Sequence, residues 1–141
     1  MRIFLDANIL FSAGKSAGAM RGFLGSLKSG GHVLVVDGYV VEEARRNLEA
    51  KFSGSLTDFE VLLNPLECSA MLRFFLASEI APELPEKDRP VLAAAIQSRC
   101  DVLLTGDKTH FGPLYGRVLE GVTIHSPASL ACLIFPDAPR L

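Results

Sequence analysis

Short apolar runs that stop at an acid alternate along this chain with longer stretches of helical spacing. Ile3-Phe4-Leu5 ends at Asp6, and Val102-Leu103-Leu104 ends at Thr105-Gly106-Asp107. His32 to Val36 and Val122-Thr123-Ile124 are runs of the same kind. Unbroken rather than alternating apolar residues are what a parallel strand covered on both faces requires. Between these runs, Ala19 to Lys28, Tyr39 to Lys51, Leu56 to Leu63, Leu66 to Leu76 and Pro90 to Arg99 predict helices. The first of them is expected at Ala19, after a stretch containing Gly and Ser. Asn64-Pro65 divides the two central helices, because proline disfavours helical geometry in the residue before it. Ser126-Pro127 predicts a last helix, with Ser126 as N-cap and Pro127 in its first turn. A third sheet strand belongs somewhere in the central segment, but the pattern gives it no position. Alternating strands and helices predict an α/β fold: a three-layer α/β/α sandwich with a central, mostly parallel sheet. A single domain spanning residues 1–141 is expected.

Composition narrows the class. With 49% hydrophobic and 21% charged residues, the chain has ample apolar material for a core and too little charge for disorder. A formal net charge of −2 excludes the broad basic footprint of a protein that coats nucleic acid. It does not exclude a nuclease, since a carboxylate cluster is acidic until cations reverse the local sign. Cys68, Cys100 and Cys132 are odd in number and lack a C-x-x-C pair, which disfavours a disulfide framework or zinc knuckle. They are expected to be core or half-buried residues in a reduced compartment. The apolar run at the N-terminus is too short for a signal-peptide core, and a cytoplasmic location is expected.

Four acids attract attention by position. Asp6 follows the first strand. Glu43 lies beside the Val40, Ala44, Leu48 stripe of its helix, whereas Glu42 points to solvent. Asp88 begins a helix above its core-facing side, and Asp107 closes the strand–Thr105–Gly106 run, where the glycine is expected to permit a sharp turn. Strand-to-helix junctions of a parallel sheet gather along one edge. Carboxylates converging there would repel one another unless cations neutralised them, and hard oxygen ligands suit Mg²⁺ or Mn²⁺. Metal-assisted phosphodiester hydrolysis is the chemistry this predicts. Taken singly, Asp6 is equally a turn or capping residue, Asp107 a turn residue, Asp88 more readily a helix cap, and Glu43 an ordinary half-exposed helix glutamate. Asn8 and the Thr105 hydroxyl are candidates to support the ligands. Lys15, Arg89 and Lys108 are candidate phosphate contacts. His110 lies near Asp107 in sequence, Asp37 reads as the N-cap of the Tyr39 helix, and Asp101 belongs to the opposite sheet edge.

The chain resembles the PIN-domain family over nearly its whole length. The matching segments are Ile3-Phe4-Leu5-Asp6-Ala7-Asn8-Ile9-Leu10, Val40-Val41-Glu42-Glu43, Asp88 through Ala95, Leu103-Leu104-Thr105-Gly106-Asp107, and Gly121-Val122-Thr123-Ile124 followed by Ser126-Pro127. The resemblance implies a Mg²⁺- or Mn²⁺-dependent ribonuclease acting on single-stranded or structured RNA. Its pocket acids would be Asp6, Glu43, Asp88 and Asp107, catalytic and metal-ligating alike, with Asn8 and Thr105 in support. Many prokaryotic members are VapC-like toxins held inactive by a small antitoxin, which implies an antitoxin partner; a homodimer is also expected. Three alternatives stand beside this reading. A haloacid-dehalogenase-type phosphatase also places Asp after its first strand, but normally carries a second Asp where this chain has Asn8. The others are a non-catalytic module binding RNA or protein and a DNA-directed nuclease.

Overall fold

The computed structural model describes residues 1–70 and 75–138. Six strands form one sheet: β1 (Arg2–Leu5), β2 (Val33–Asp37), β3 (Glu67–Ser69), β4 (Val102–Leu104), β5 (Val118–Leu119) and β6 (Val122–His125). Their spatial order is β3-β2-β1-β4-β6-β5. All neighbours are parallel except β5, which pairs antiparallel with β6. The helices are α1 (Ala7–Lys15), α2 (Ala19–Ser29), α3 (Gly38–Lys51), α4 (Leu56–Leu63), α5 (Arg89–Gln97) and α6 (Pro127–Ile134).

The expected α/β/α arrangement follows from the strand order. From β1 the chain steps outward to β2 and then β3, and α1 to α4 pack against one another along that path. It then crosses back past β1 to β4 and β6, reversing its direction. Right-handed crossovers in opposite directions lay their helices on opposite faces, so α5, which packs on β4, covers the other side. The reversal falls between β1 and β4, which are paired in register Ile3↔Val102, Phe4↔Leu103 and Leu5↔Leu104. A crevice outside the carboxyl ends of these two strands is where an open α/β sheet places its ligands.

The core explains the continuous apolar runs. Ile3, Phe4, Leu5, Leu103, Leu104 and Ile124 are fully buried, as are Val40, Ala44 and Leu48 on the inner stripe of α3. Asp37 caps α3 as expected, its Oδ1 accepting a hydrogen bond from Val40 N at 3.1 Å. At α6, Ser126 and Ser129 form a reciprocal capping box.

Several expectations are corrected. Ala7–Lys15 is a helix, although Ser12 and Gly14 make the segment look interrupted. Gly14 is there for packing: a Cβ on it would lie 2.9 Å from both Leu48 Cδ1 and Phe59 Cδ1, so the absent side chain lets α1 approach α3 and α4. The predicted helix Leu66 to Leu76 is not one. Glu67–Ser69 is instead the missing third strand, paired with β2 through Val35↔Glu67 and Val36↔Cys68. Residues 71–74 of that prediction lie outside the described residues. The short β5 was not anticipated; it joins β6 through Glu120 and Gly121, both at positive φ (49° and 85°), the geometry of a tight hairpin turn. Cys68 is exposed on edge strand β3 rather than half-buried, while Cys100 is buried and Cys132 intermediate.

Candidate active site

Asp6 is the innermost acid. It begins α1 directly beyond β1, its backbone N–H donating to Leu104 O at 3.0 Å across the strand pair. Its Oδ1 accepts from Ala7 N at 2.8 Å, and its Oδ2 accepts from the Thr105 hydroxyl at 2.8 Å. The residue is only 6% exposed. Burial, with the nearby charges of Glu43 and Asp88, raises its pKa from 3.8 to about 6, against the lowering effect of the hydrogen bonds from Thr105 and Ala7.

Thr105 ties the two strand ends together. Besides donating to Asp6, its Oγ1 accepts from Asp107 N at 3.1 Å and lies 3.3 Å from Asn8 Nδ2. Asn8 completes the tie: its Nδ2 reaches Asp6 Oδ2 at 3.3 Å and its Oδ1 accepts from Gly106 N at 2.9 Å. This network holds the Asp6 and Asp107 backbones in fixed relation. Gly106 contributes its amide rather than its conformational freedom. Its φ is not positive, and an added Cβ would sit 3.5 Å from Asn8 Oδ1, an ordinary contact. The expectation that a side chain would obstruct the turn is therefore corrected.

Asp107 points its Oδ1 at the backbone N–H groups of Thr109 and His110, both at 3.0 Å, leaving Oδ2 3.0 Å from His110 Nδ1. Asp88 stands at the N-cap position of α5, yet its side chain makes no capping hydrogen bond. Its Oδ2 is buried, lies 3.2 Å from the same His110 nitrogen, and accepts no hydrogen bond among the described residues. Nδ1 carries at most one proton, so it cannot donate fully to both Asp107 and Asp88. Burial and the adjacent Asp107 raise the Asp88 pKa, opposed by His110. Tyr39 holds this segment to α3 by donating its hydroxyl proton to Lys87 O at 2.9 Å.

Asp6, Glu43, Asp88 and Asp107 all line one open pocket of about 220 Å³, together with Asn8, Asn47, Phe11, Lys51 and Lys87. Glu43 projects from α3 while Glu42 pairs with Arg45 at 3.1 Å on the surface. Of the basic candidates, Arg89 is committed elsewhere: its guanidinium donates to Ala77, Ile80 and Ala81 carbonyls at 2.8–3.0 Å, bracing a turn in which Ala81 has a φ of 47°. Lys108 and Lys15 are exposed and do not line the pocket, although Lys15 Nζ lies 5.8 Å from the Phe11 ring. The basic residues that line it are Lys51 and Lys87, which sequence reasoning overlooked. Lys51 was discoverable, being one helical turn beyond Asn47 and two beyond Glu43 on the same face of α3. His110, close to Asp107 in sequence, contacts the Asp88 and Asp107 carboxylates from beside the pocket rather than lining it.

No family model matches the sequence, and no curated protein does. Solved structures do match in shape. VapBC2 from Rickettsia felis, bound to a DNA fragment from its promoter, superposes with a TM-score of 0.63 over 89% of this chain and 98% of that one, at 15% identity. The fold is that of a PIN domain. VapC20 from Mycobacterium tuberculosis, a toxin that cleaves the sarcin–ricin loop, shares the PIN fold at a TM-score of 0.56 and 12% identity, over 83% of this chain and 98% of its own. VapBC-1 from nontypeable Haemophilus influenzae gives 0.57 and 14%, over 91% and 99%. In this PIN fold the carboxylate pocket sits at the reversal of strand order.

The donor set suits a divalent cation. Four carboxylates face one pocket, Asp88 Oδ2 is buried without a hydrogen bond among the described residues, and carboxylate oxygens are the ligands Mg²⁺ and Mn²⁺ prefer. Asp88, Asp107 and His110 offer ligand atoms within 4.8 Å of one another.

Proposed function

We propose that this protein is a divalent-metal-dependent endoribonuclease that hydrolyses RNA phosphodiester bonds, acting as the toxin of a toxin–antitoxin pair. One observation carries the reading. Acids from distant segments line a single pocket, and one of them holds a buried carboxylate oxygen that no described group satisfies. Structural contacts account for part of this set, since Asp6 Oδ1 caps α1 and Asp107 Oδ1 accepts two backbone N–H groups, but Asp88 Oδ2 has no hydrogen bond among the described residues. Asp88 stands at a cap position without capping, and Asp6 remains buried at an electrostatic cost. The sarcin–ricin-cleaving activity of the M. tuberculosis protein with this fold adds RNA as the substrate class.

Asp6, Glu43, Asp88 and Asp107 are the residues that would hold Mg²⁺ or Mn²⁺. When bound, such an ion supplies Lewis-acid polarisation of the phosphate and a lower pKa for an attacking water. The chain's own residues supply the rest. Thr105 and Asn8 fix the Asp6 carboxylate in one rotamer, so little reorganisation accompanies the reaction. Lys51 and Lys87 place positive charge on the rim of an otherwise acidic pocket, where an RNA backbone must pass. Phe11, whose ring lies 5.8 Å from both the Lys15 and Lys51 ammonium groups and packs on Phe52, adds apolar surface to the pocket wall.

The partner proposals follow from the same likeness. Structures of VapBC2 and VapBC-1 share the fold, and exposed Val61 and Phe52 give apolar surface beside α4 and α3 for an antitoxin or a second copy. The test is purified protein with a labelled single-stranded RNA, in Mg²⁺, Mn²⁺ or chelator, beside a DNA oligonucleotide of the same sequence. Cleavage of RNA that stops with chelator and with Asp6→Asn is expected. Binding without cleavage in either metal would establish the non-catalytic alternative instead.

A further inference from the structure

We propose that His110 is a metal ligand: its Nδ1 joins Asp88 and Asp107 in a nitrogen-containing set that favours Mn²⁺ and later transition ions over Mg²⁺. This rests on the metal-pocket reading above and extends it to a residue outside the acidic set.

The ring's position is set by a braced loop. Asp107 Oδ1 accepts the backbone N–H groups of Thr109 and His110. Phe111 N–H donates to Asp107 O at 3.2 Å, and the Phe111 side chain is fully buried. Only one side-chain torsion pair separates this anchored backbone from the imidazole. Its Nδ1 is 3.0 Å from Asp107 Oδ2 and 3.2 Å from Asp88 Oδ2.

Nδ1 carries at most one proton, which cannot fully serve two carboxylates. The other oxygen of Asp107 already has two backbone donors, whereas the buried Asp88 oxygen has no hydrogen bond among the described residues. A cation among the three atoms satisfies both carboxylates at once. Adjacent ligands of an octahedral ion with bonds of 2.0–2.1 Å stand about 3 Å apart. The two separations from Nδ1 already have that length, so exchanging proton for metal needs little movement of the ring against either carboxylate. Imidazole nitrogen binds Mn²⁺, Co²⁺ and Ni²⁺ more readily than it binds Mg²⁺, which gives the proposal its selectivity.

The experiment is electron spin-echo spectroscopy of Mn²⁺ added to the full chain, with Mn²⁺ and Mg²⁺ affinities measured in parallel by calorimetry. In the wild type a directly coordinated ¹⁴N coupling is expected, changing to the ¹⁵N pattern when histidine is ¹⁵N-labelled. In His110→Ala the coupling should vanish, with Mn²⁺ affinity falling at least about tenfold and Mg²⁺ affinity changing much less. Mn²⁺ bound without nitrogen coupling in the wild type overturns the ligand role and leaves the acidic pocket standing. No Mn²⁺ binding at all overturns both. If His110→Ala fails to fold, the chain carrying His32→Gln and His125→Gln, in which labelled His110 is the sole histidine, decides the matter by the presence or absence of the nitrogen coupling.

Discussion

Replacing Asp6 by Asn should stabilise the metal-free protein at pH 8 while abolishing its response to metal. Asp6 has a folded pKa of about 6 against an ordinary 3.8, chiefly because it is buried. A carboxyl whose pKa rises on folding binds protons more tightly in the native state. Its contribution is neutral relative to an unperturbed carboxyl below pH 3.8, becomes a growing penalty between 3.8 and about 6, and is fully unfavourable above that. At 1.36 kcal/mol per pH unit the full penalty is about 3 kcal/mol. Asparagine is nearly the same shape and never ionises. Its Oδ1 keeps the Ala7 N–H, and its Nδ2 can donate to Thr105, whose hydroxyl reorients. Asn8 Nδ2 and the Thr105 hydroxyl then both lose Oδ2 as an acceptor, which costs about 1 kcal/mol each. The variant should therefore be about 1 kcal/mol more stable at pH 8 in chelator, and about 1–2 kcal/mol less stable at pH 4. Urea unfolding at both pH values measures this. Mn²⁺ should raise the wild-type midpoint by linkage and leave the variant's nearly unmoved. A variant less stable than wild type at pH 8 would show that the Asp6 charge is already compensated, and the reasoning would fail.

Other outcomes follow from particular contacts. Thr105→Val removes the donor to Asp6 Oδ2 and the acceptor of Asp107 N–H, and should cost about 1–3 kcal/mol in chemical denaturation. Gly14→Ala forces a Cβ against Leu48 and Phe59 and should destabilise by about 1–3 kcal/mol, whereas Gly106→Ala should be near neutral by the same assay. Lys51→Ala with Lys87→Ala should weaken RNA binding to an Asp6→Asn background, lowering the slope of log affinity against log salt by about 1.4. An unchanged slope would remove both lysines from the phosphate path.

The parts of the fold that sequence made legible are those where burial demands a continuous pattern. β1, β2 and β4 declare themselves because both faces are covered, β6 because Val122 and Ile124 are buried in alternation, and α3 because Val40, Ala44 and Leu48 repeat at one helical turn. Elements decided by tertiary contact were not legible. α1 carries Gly14 where another helix closes on it, a constraint invisible along the chain. β3 is a short edge strand with Glu67 and Cys68 exposed, so it lacks the apolar signature of its neighbours. The site divides the same way. Asp6 and Asp107 could be placed because strands end there, and Glu43 because a helix face is periodic. Whether Asp88 capped α5 or faced the pocket depended on a side-chain direction that position alone does not determine. His110 and Lys87 owe their places to loop geometry. Arg89, beside Asp88 in sequence, turns instead to the carbonyls of Ala77, Ile80 and Ala81.

Crystals soaked in Mn²⁺ and measured at the manganese absorption edge would test the carboxylate pocket most directly. Anomalous density among Asp6, Glu43, Asp88 and Asp107, lost in crystals of Asp6→Asn, is the predicted result. Saturating Mn²⁺ that leaves this pocket without density, or settles elsewhere on the surface, would contradict the account.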